Sequence, residues 1–215
     1  MSLLNQYLNS SKTNWQECWQ NKNFRYKLIT GIFLIGLIII SAPFFFQYIE
    51  KRNGVIVNDA LLRILPPHDV SIPIFILIWS CFFFMLLTAI KNPRILLTFL
   101  FAYILLCGFR CLTIFIFQLN PPRGIINLID PLSNTFYGGV VITKDLFFSG
   151  HTASLFLIYL CQNKKGIRYY SLFASLLVGI LVLVQHIHYS FDVIFAFPFA
   201  YISYKIAKYI TNDTF

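Results

Sequence analysis

Charge is scarce in this chain. Only 12% of its 215 residues are Asp, Glu, Lys or Arg, and just eight of them are acidic. Soluble domains carry about 25% charged residues, so the deficit excludes an ordinary soluble globular protein. Also lacking is any run of Lys and Arg dense enough for a nucleic-acid patch. The net charge of +9 therefore reads as the basic balance of cytoplasmic loops. Five cysteines, at 18, 81, 107, 111 and 161, show no metal-ligand spacing such as Cys-x-x-Cys. Cys107 and Cys111, one helical turn apart, read as small packing residues. Internal repeats and low-complexity tracts are missing too.

Apolar residues fill the space left. They make up 58% of the chain and raise its mean hydropathy to +0.70, which points to an integral membrane protein. Six apolar segments approach the ~20 residues a spanning helix needs: 28–48, 71–90, 95–117, 149–162, 169–187 and 188–210. The fourth is short and begins in the preceding loop. A lipid-exposed backbone must satisfy its own hydrogen bonds, so the expected fold class is an all-α bundle of six transmembrane helices over residues 27–210. A polar segment, 1–26, precedes it; Trp15 and Trp19 suit an interfacial helix there. A short tail, 211–215, follows. The first span lacks a small-residue cleavage site and reads as a retained anchor. The chain is too short for a sizeable soluble domain as well.

The cations set an orientation. Lys12, Lys22, Arg25, Lys27, Lys91, Arg94, Lys164, Lys165, Arg168, Lys205 and Lys208 fall on the amino-terminal side of six spans. Lys51, Arg52, Arg63, Arg123 and Lys144 fall on the other, and Arg110 lies inside the third span. This excess places both termini in the cytoplasm. The loops near 49–70 and 118–148, and the turn at His188, then face outward, to the periplasm, cell exterior or lumen. Minimal loops favour a bacterial inner membrane.

Four histidines occur, and two of them, His151 and His188, stand at the outer ends of different spans. Asp192 follows His188 by four residues, on the same helical face. A carboxylate there fixes the imidazole tautomer and stabilises the imidazolium; the bland alternative is a hydrogen bond that locks helix packing. An intramembrane acid costs a few kcal/mol, which makes it a functional candidate. His186 points to nearly the opposite face and reads as an interfacial or packing histidine; His68 reads as a solvated loop residue. Arg110 needs an anionic partner, which Asp192, Asp145 or a phosphate would supply, so structural and ligand-binding roles both remain open. Arg123 and Lys144 read as ordinary solvated charges. Asn120–Pro121–Pro122 stiffens the chain leaving the third span.

These parts suit phosphoryl transfer. His188 with Asp192 supplies a nucleophile and His151 an acid for the leaving oxygen. Arg110, with the backbone amides of Ser149, Gly150 and Thr152 at a helix start, supplies charge for the phosphate oxygens. No metal and no cofactor is expected.

DLFFSGHT (Asp145–Thr152) and HYSFDV (His188–Val193), their histidines 37 residues apart, resemble the two catalytic motifs of the sphingomyelin synthase-like branch of the type 2 phosphatidic acid phosphatase superfamily. FRCLTIFIFQLNPP (Phe109–Pro122) and VNDALLRILPPHD (Val57–Asp69) are weaker echoes. The resemblance implies six spans and an outward-facing site. It also implies a phosphohistidine on His188, orientation by Asp192 and protonation of the leaving alcohol by His151. General phosphatases of the superfamily carry Lys-x(6)-Arg-Pro, a Pro before Ser-Gly-His and an Arg six residues before the nucleophile. Here Phe148 and Val182 occupy the latter two positions, which favours the transferase branch.

The expected function is therefore transfer of a phospho-headgroup from a phospholipid donor to a lipid alcohol, ceramide or diacylglycerol. A phosphatase would use the same residues with water as acceptor. A non-catalytic scaffold or lipid binder is the third alternative; replacement of His151, His188 or Asp192 would favour it, but all three are present. A channel or transporter is disfavoured, because the ionisable groups form no string across the spans.

Overall fold

The structure is a computed structural model that describes residues 15–128, 142–212 and 214. Its helices are α1 (Trp15–Gln20), α2 (Lys22–Glu50), α3 (Ala60–Ile64), α4 (Ser71–Lys91), α5 (Pro93–Ile116), α6 (Gly150–Cys161), α7 (Lys165–Val184) and α8 (Ser190–Asn212). Five of them, α2, α4, α5, α7 and α8, are long and apolar enough to cross a membrane. The fourth expected span is α6, with twelve residues. It extends about 18 Å and falls short of a full crossing. Of the polar amino-terminal segment, residues 1–14 lie outside the described residues. Its remainder forms α1 and the first turn of α2, and Trp15 Nε1 donates to Ile90 O at 2.6 Å.

Local sequence explains the boundaries. Asn21, Asn92 and Ser149 cap α2, α5 and α6 with side-chain oxygens that accept first-turn amides. Pro93 opens α5, where its missing N–H costs nothing. The apolar length of α2 is mostly exposed; Phe24, Leu28, Gly31 and Ile49 are its buried residues. That suits contact with lipid tails rather than with protein.

The core lies around α6. This helix packs against α7 and α8, and α8 packs also against α5. On α8, the fully buried residues Ala196, Ala200, Ser203 and Ala207 recur every three or four positions. Small side chains let backbones approach closely where lipid offers no hydrophobic drive for association. In chain direction α6 leaves, and α7 returns to, the end of the bundle where the interhelical loops gather. Gly54 lies against the backbone of Leu119 and Asn120, where a Cβ would meet carbonyl carbon at 2.6 Å. That close approach permits the parallel bridge between Val55 and Leu119.

Candidate active site

The site is assembled where α8 begins. Asp192, in its first turn, is fully buried. Its Oδ2 accepts the Nδ1 of His188 at 3.1 Å and the amide of Tyr189 at 3.0 Å. Its Oδ1 accepts the amide of Phe147 at 3.2 Å, and its carbonyl accepts the amide of Ser149 at 2.9 Å. One residue thus bonds His188 directly and grips the backbone that leads, two positions after Ser149, to His151. An ionised carboxylate accepts only, so Nδ1 of His188 is the donor to it, and in the neutral ring that tautomer leaves the Nε2 lone pair free. His188 is buried.

Phe147 holds this grip under strain. Its φ is 108°, rare for a bulky residue and costing about 1–3 kcal/mol. The ring stacks on Phe117 at 4.1 Å and on Phe195 at 5.6 Å. Each such pair contributes about 0.5–1.5 kcal/mol beyond burial, enough with the Asp192 bond to hold the conformation.

His151 is the second residue of α6 and half-buried. Ser149 caps the helix: its Oγ takes the Thr152 amide at 3.4 Å and the Thr152 hydroxyl at 3.1 Å. Both residues are fully buried, and their amides are already partnered, to Asp192 O and to this cap. Gly150 lies between them at the helix start, where amides have no carbonyl one turn back to bond.

Arg110 meets that helix start from α5. Its guanidinium donates to Phe148 O at 2.6 Å, forms an ion pair with Asp145 and lies over the Phe148 ring. Of the partners open at the sequence level, Asp145 is the one it holds. A Cβ at Gly150 would collide with the guanidinium, so glycine there leaves Arg110 in this position undisturbed. The other Asp145 oxygen is buried without a hydrogen-bond partner among the described residues.

Other candidates are placed elsewhere. His186 is buried, and its two ring nitrogens meet Arg123 O at 2.9 Å and Leu65 O at 2.8 Å. It joins loops, which agrees with a packing role. His68 is exposed. Lys144 is not a solvated charge: its ammonium bonds the carbonyls of Glu50 and Arg52. Glu50 in turn accepts from Thr143 and the Lys144 amide. Cys107 and Cys111 are free thiols.

Sequence reasoning missed Asp59 and Tyr189. Asp59 caps α3 and also takes the Ser190 amide at 2.6 Å and the Ser190 hydroxyl at 3.0 Å. Partial burial opposes ionisation of its carboxyl, but donors from Ser190, Leu62 and Leu61 outweigh this and hold its pKa below the ordinary value. The Tyr189 hydroxyl donates to Asn120 O at 2.9 Å and accepts the Val57 amide at 3.1 Å. Burial is the main cause that raises its pKa. An Asn-Asp pair ahead of an apolar helical turn is the local signal that could have found Asp59, as a cap; its second partner, 131 residues away, left no local trace.

Residues 144–209 match the family model described as PAP2 superfamily C-terminal. The matched stretch contains Asp145, His151, His188 and Asp192, but neither Arg110 nor Asp59. It supports the type 2 phosphatidic acid phosphatase superfamily, whose members are in general metal-independent enzymes acting on lipid phosphates. No curated protein and no solved structure matches the chain.

Proposed function

We propose that this protein is a membrane lipid phosphotransferase that works through a phosphohistidine on His188. The observation that carries the reading is the double grip of Asp192, on the ring of His188 and on the backbone just before His151. Such a pair orients an imidazole and stabilises the charge it gains on attack.

In the first half-reaction Nε2 of His188 attacks the phosphorus of a phospholipid. The bond from phosphorus to the glycerol oxygen breaks, and His151 gives that oxygen a proton, releasing diacylglycerol. In the second half, the hydroxyl of a lipid alcohol, ceramide or another diacylglycerol, loses its proton to His151 and attacks phosphorus. The N–P bond breaks and His188 is restored. Arg110 has five guanidinium N–H donors, two of them spent on Phe148 and Asp145, and the remainder suits a phosphate oxygen beside the Gly150 amide.

Depth supports a lipid substrate. Arg110 lies six residues before the end of α5, about 9 Å inside it, which is near where a headgroup phosphate meets the acyl region. In this reading α6 starts at that depth, and the segment before it completes a sixth crossing. The excess of Lys and Arg on the amino-terminal side of the spans supports cytoplasmic termini and an outward-facing site.

The test uses purified protein in detergent and a phospholipid labelled in headgroup and acyl chains, with or without ceramide or diacylglycerol. Label transferred from headgroup to the added alcohol supports the transferase. Release of phosphate or phospho-alcohol to water, indifferent to the added lipid, would replace it with a hydrolase using the same residues. No turnover with any phospholipid would leave a scaffold or lipid binder.

A further inference from the structure

The turn His188–Ser190 is held from a second direction. Asp192 holds it from within α8. The loop between α2 and α4 holds it from across the site. Asp59 in that loop binds the first residue of α8 through both its amide and its hydroxyl. Val57, two residues earlier, donates its amide to the Tyr189 hydroxyl, which in turn donates a hydrogen bond to Asn120 O. Leu62, just after Asp59, shares a buried cluster with Tyr189, Leu146 and Leu183.

We infer that Asp59 is a positioning residue for His188, fixing from the α2–α4 loop the backbone that presents the nucleophile. The inference rests on reading His188 as the nucleophile. Asp192 sets the tautomer and rotation of the ring, but it rides on the same helix start. A rigid displacement of that start would carry both residues together and leave their mutual bond intact. Asp59 belongs to another element, so it registers the pair against the α2–α4 loop, as the bonds of Asp192 to Phe147 and Ser149 register it against the start of α6. Misplacement of a reacting group by about 1 Å costs roughly 10²-fold in rate.

Chemistry accounts for an acid at this position. Its Oδ1 accepts the amides of Leu61 at 2.9 Å and Leu62 at 3.4 Å as well as the Ser190 hydroxyl, while Oδ2 accepts the Ser190 amide. An Asn can serve only one side; its NH2 would face either Ser190 N–H or the α3 amides, donor against donor. Asp59 thereby couples two helix starts that are far apart in sequence.

The experiment compares Asp59→Asn, Ser190→Ala and His188→Ala with wild type, using full-length protein in detergent and a labelled phospholipid. It measures kcat, KM, the single-turnover rate of acid-labile phosphohistidine formation, and the melting temperature. Positioning predicts that Asp59→Asn lowers kcat and phosphohistidine formation together by roughly 10–100-fold, with KM within about twofold. Ser190→Ala, which loses the hydroxyl bond and keeps the amide bond, falls in between. A lowered melting temperature with unchanged kcat for the folded fraction would overturn the inference and leave Asp59 as a cap. If Asp59→Asn does not fold, Ser190→Ala decides by the same split between kcat and KM. Activity surviving in His188→Ala would overturn the nucleophile reading itself. An inactive His188→Ala beside a fully active Asp59→Asn would overturn only the positioning role.

Discussion

Asp192 and His188 are joined by a 3.1 Å bond between Oδ2 and Nδ1, inside a site where the carboxylate is fully shielded. The same carboxylate also takes two backbone amides, from Tyr189 and Phe147. Replacing one oxygen with NH2 in Asp192→Asn therefore sets a donor against a donor. Turnover is expected to fall by about 10⁴-fold, as for an orienting acid, and stability by about 1–3 kcal/mol for the unsatisfied group. Single-turnover kinetics and a thermal melt check both; retained rate would leave Asp192 a packing role.

The three buried or half-buried histidines separate by variant. His188→Ala and His151→Ala are each expected to abolish turnover in protein that still folds. His186→Ala should retain most of the activity per folded molecule but melt at a lower temperature. It removes the ring that sits between the Arg123 and Leu65 carbonyls and leaves a backbone φ of 58°. His186→Asn should melt above His186→Ala, because Asn tolerates that conformation. Loss of activity in His186→Ala at full folding would draw this residue into the chemistry.

Arg110 and Gly150 are in contact, so they share a phenotype. Arg110→Lys replaces a planar fork with a point charge and is expected to lower kcat/KM by about 10²-fold or more. Gly150→Ala should approach that loss with every charge in place, because its Cβ displaces the guanidinium. Assays of both variants on one phospholipid suffice. Wild-type activity in each would remove Arg110 from phosphate binding.

Acid stability reports on Asp59. Its pKa is lowered from the ordinary 3.8, so the ionised carboxylate stabilises the fold. That contribution is complete above the unfolded value and is lost as pH falls through the lower, folded one. The difference in melting temperature between wild type and Asp59→Asn should stay constant down to about pH 5 and narrow below 3.8. A difference that grows on acidification would contradict the linkage.

The sequence by itself determined the membrane class, five of the spanning helices to within a few residues, and the His188–Asp192 pair. Each is a local property. Apolar length sets a span, and a separation of four residues puts two side chains on one helical face. Tertiary structure alone decided the partner of Arg110, because Asp145 and Asp192 both stood open until α5 was packed against the start of α6. It also decided that Lys144 closes a loop instead of facing solvent, and that Asp59 reaches Ser190. Contacts like these span 35, 94 and 131 residues. No periodicity encodes them, because they depend on which helix ends the packed bundle brings to one side.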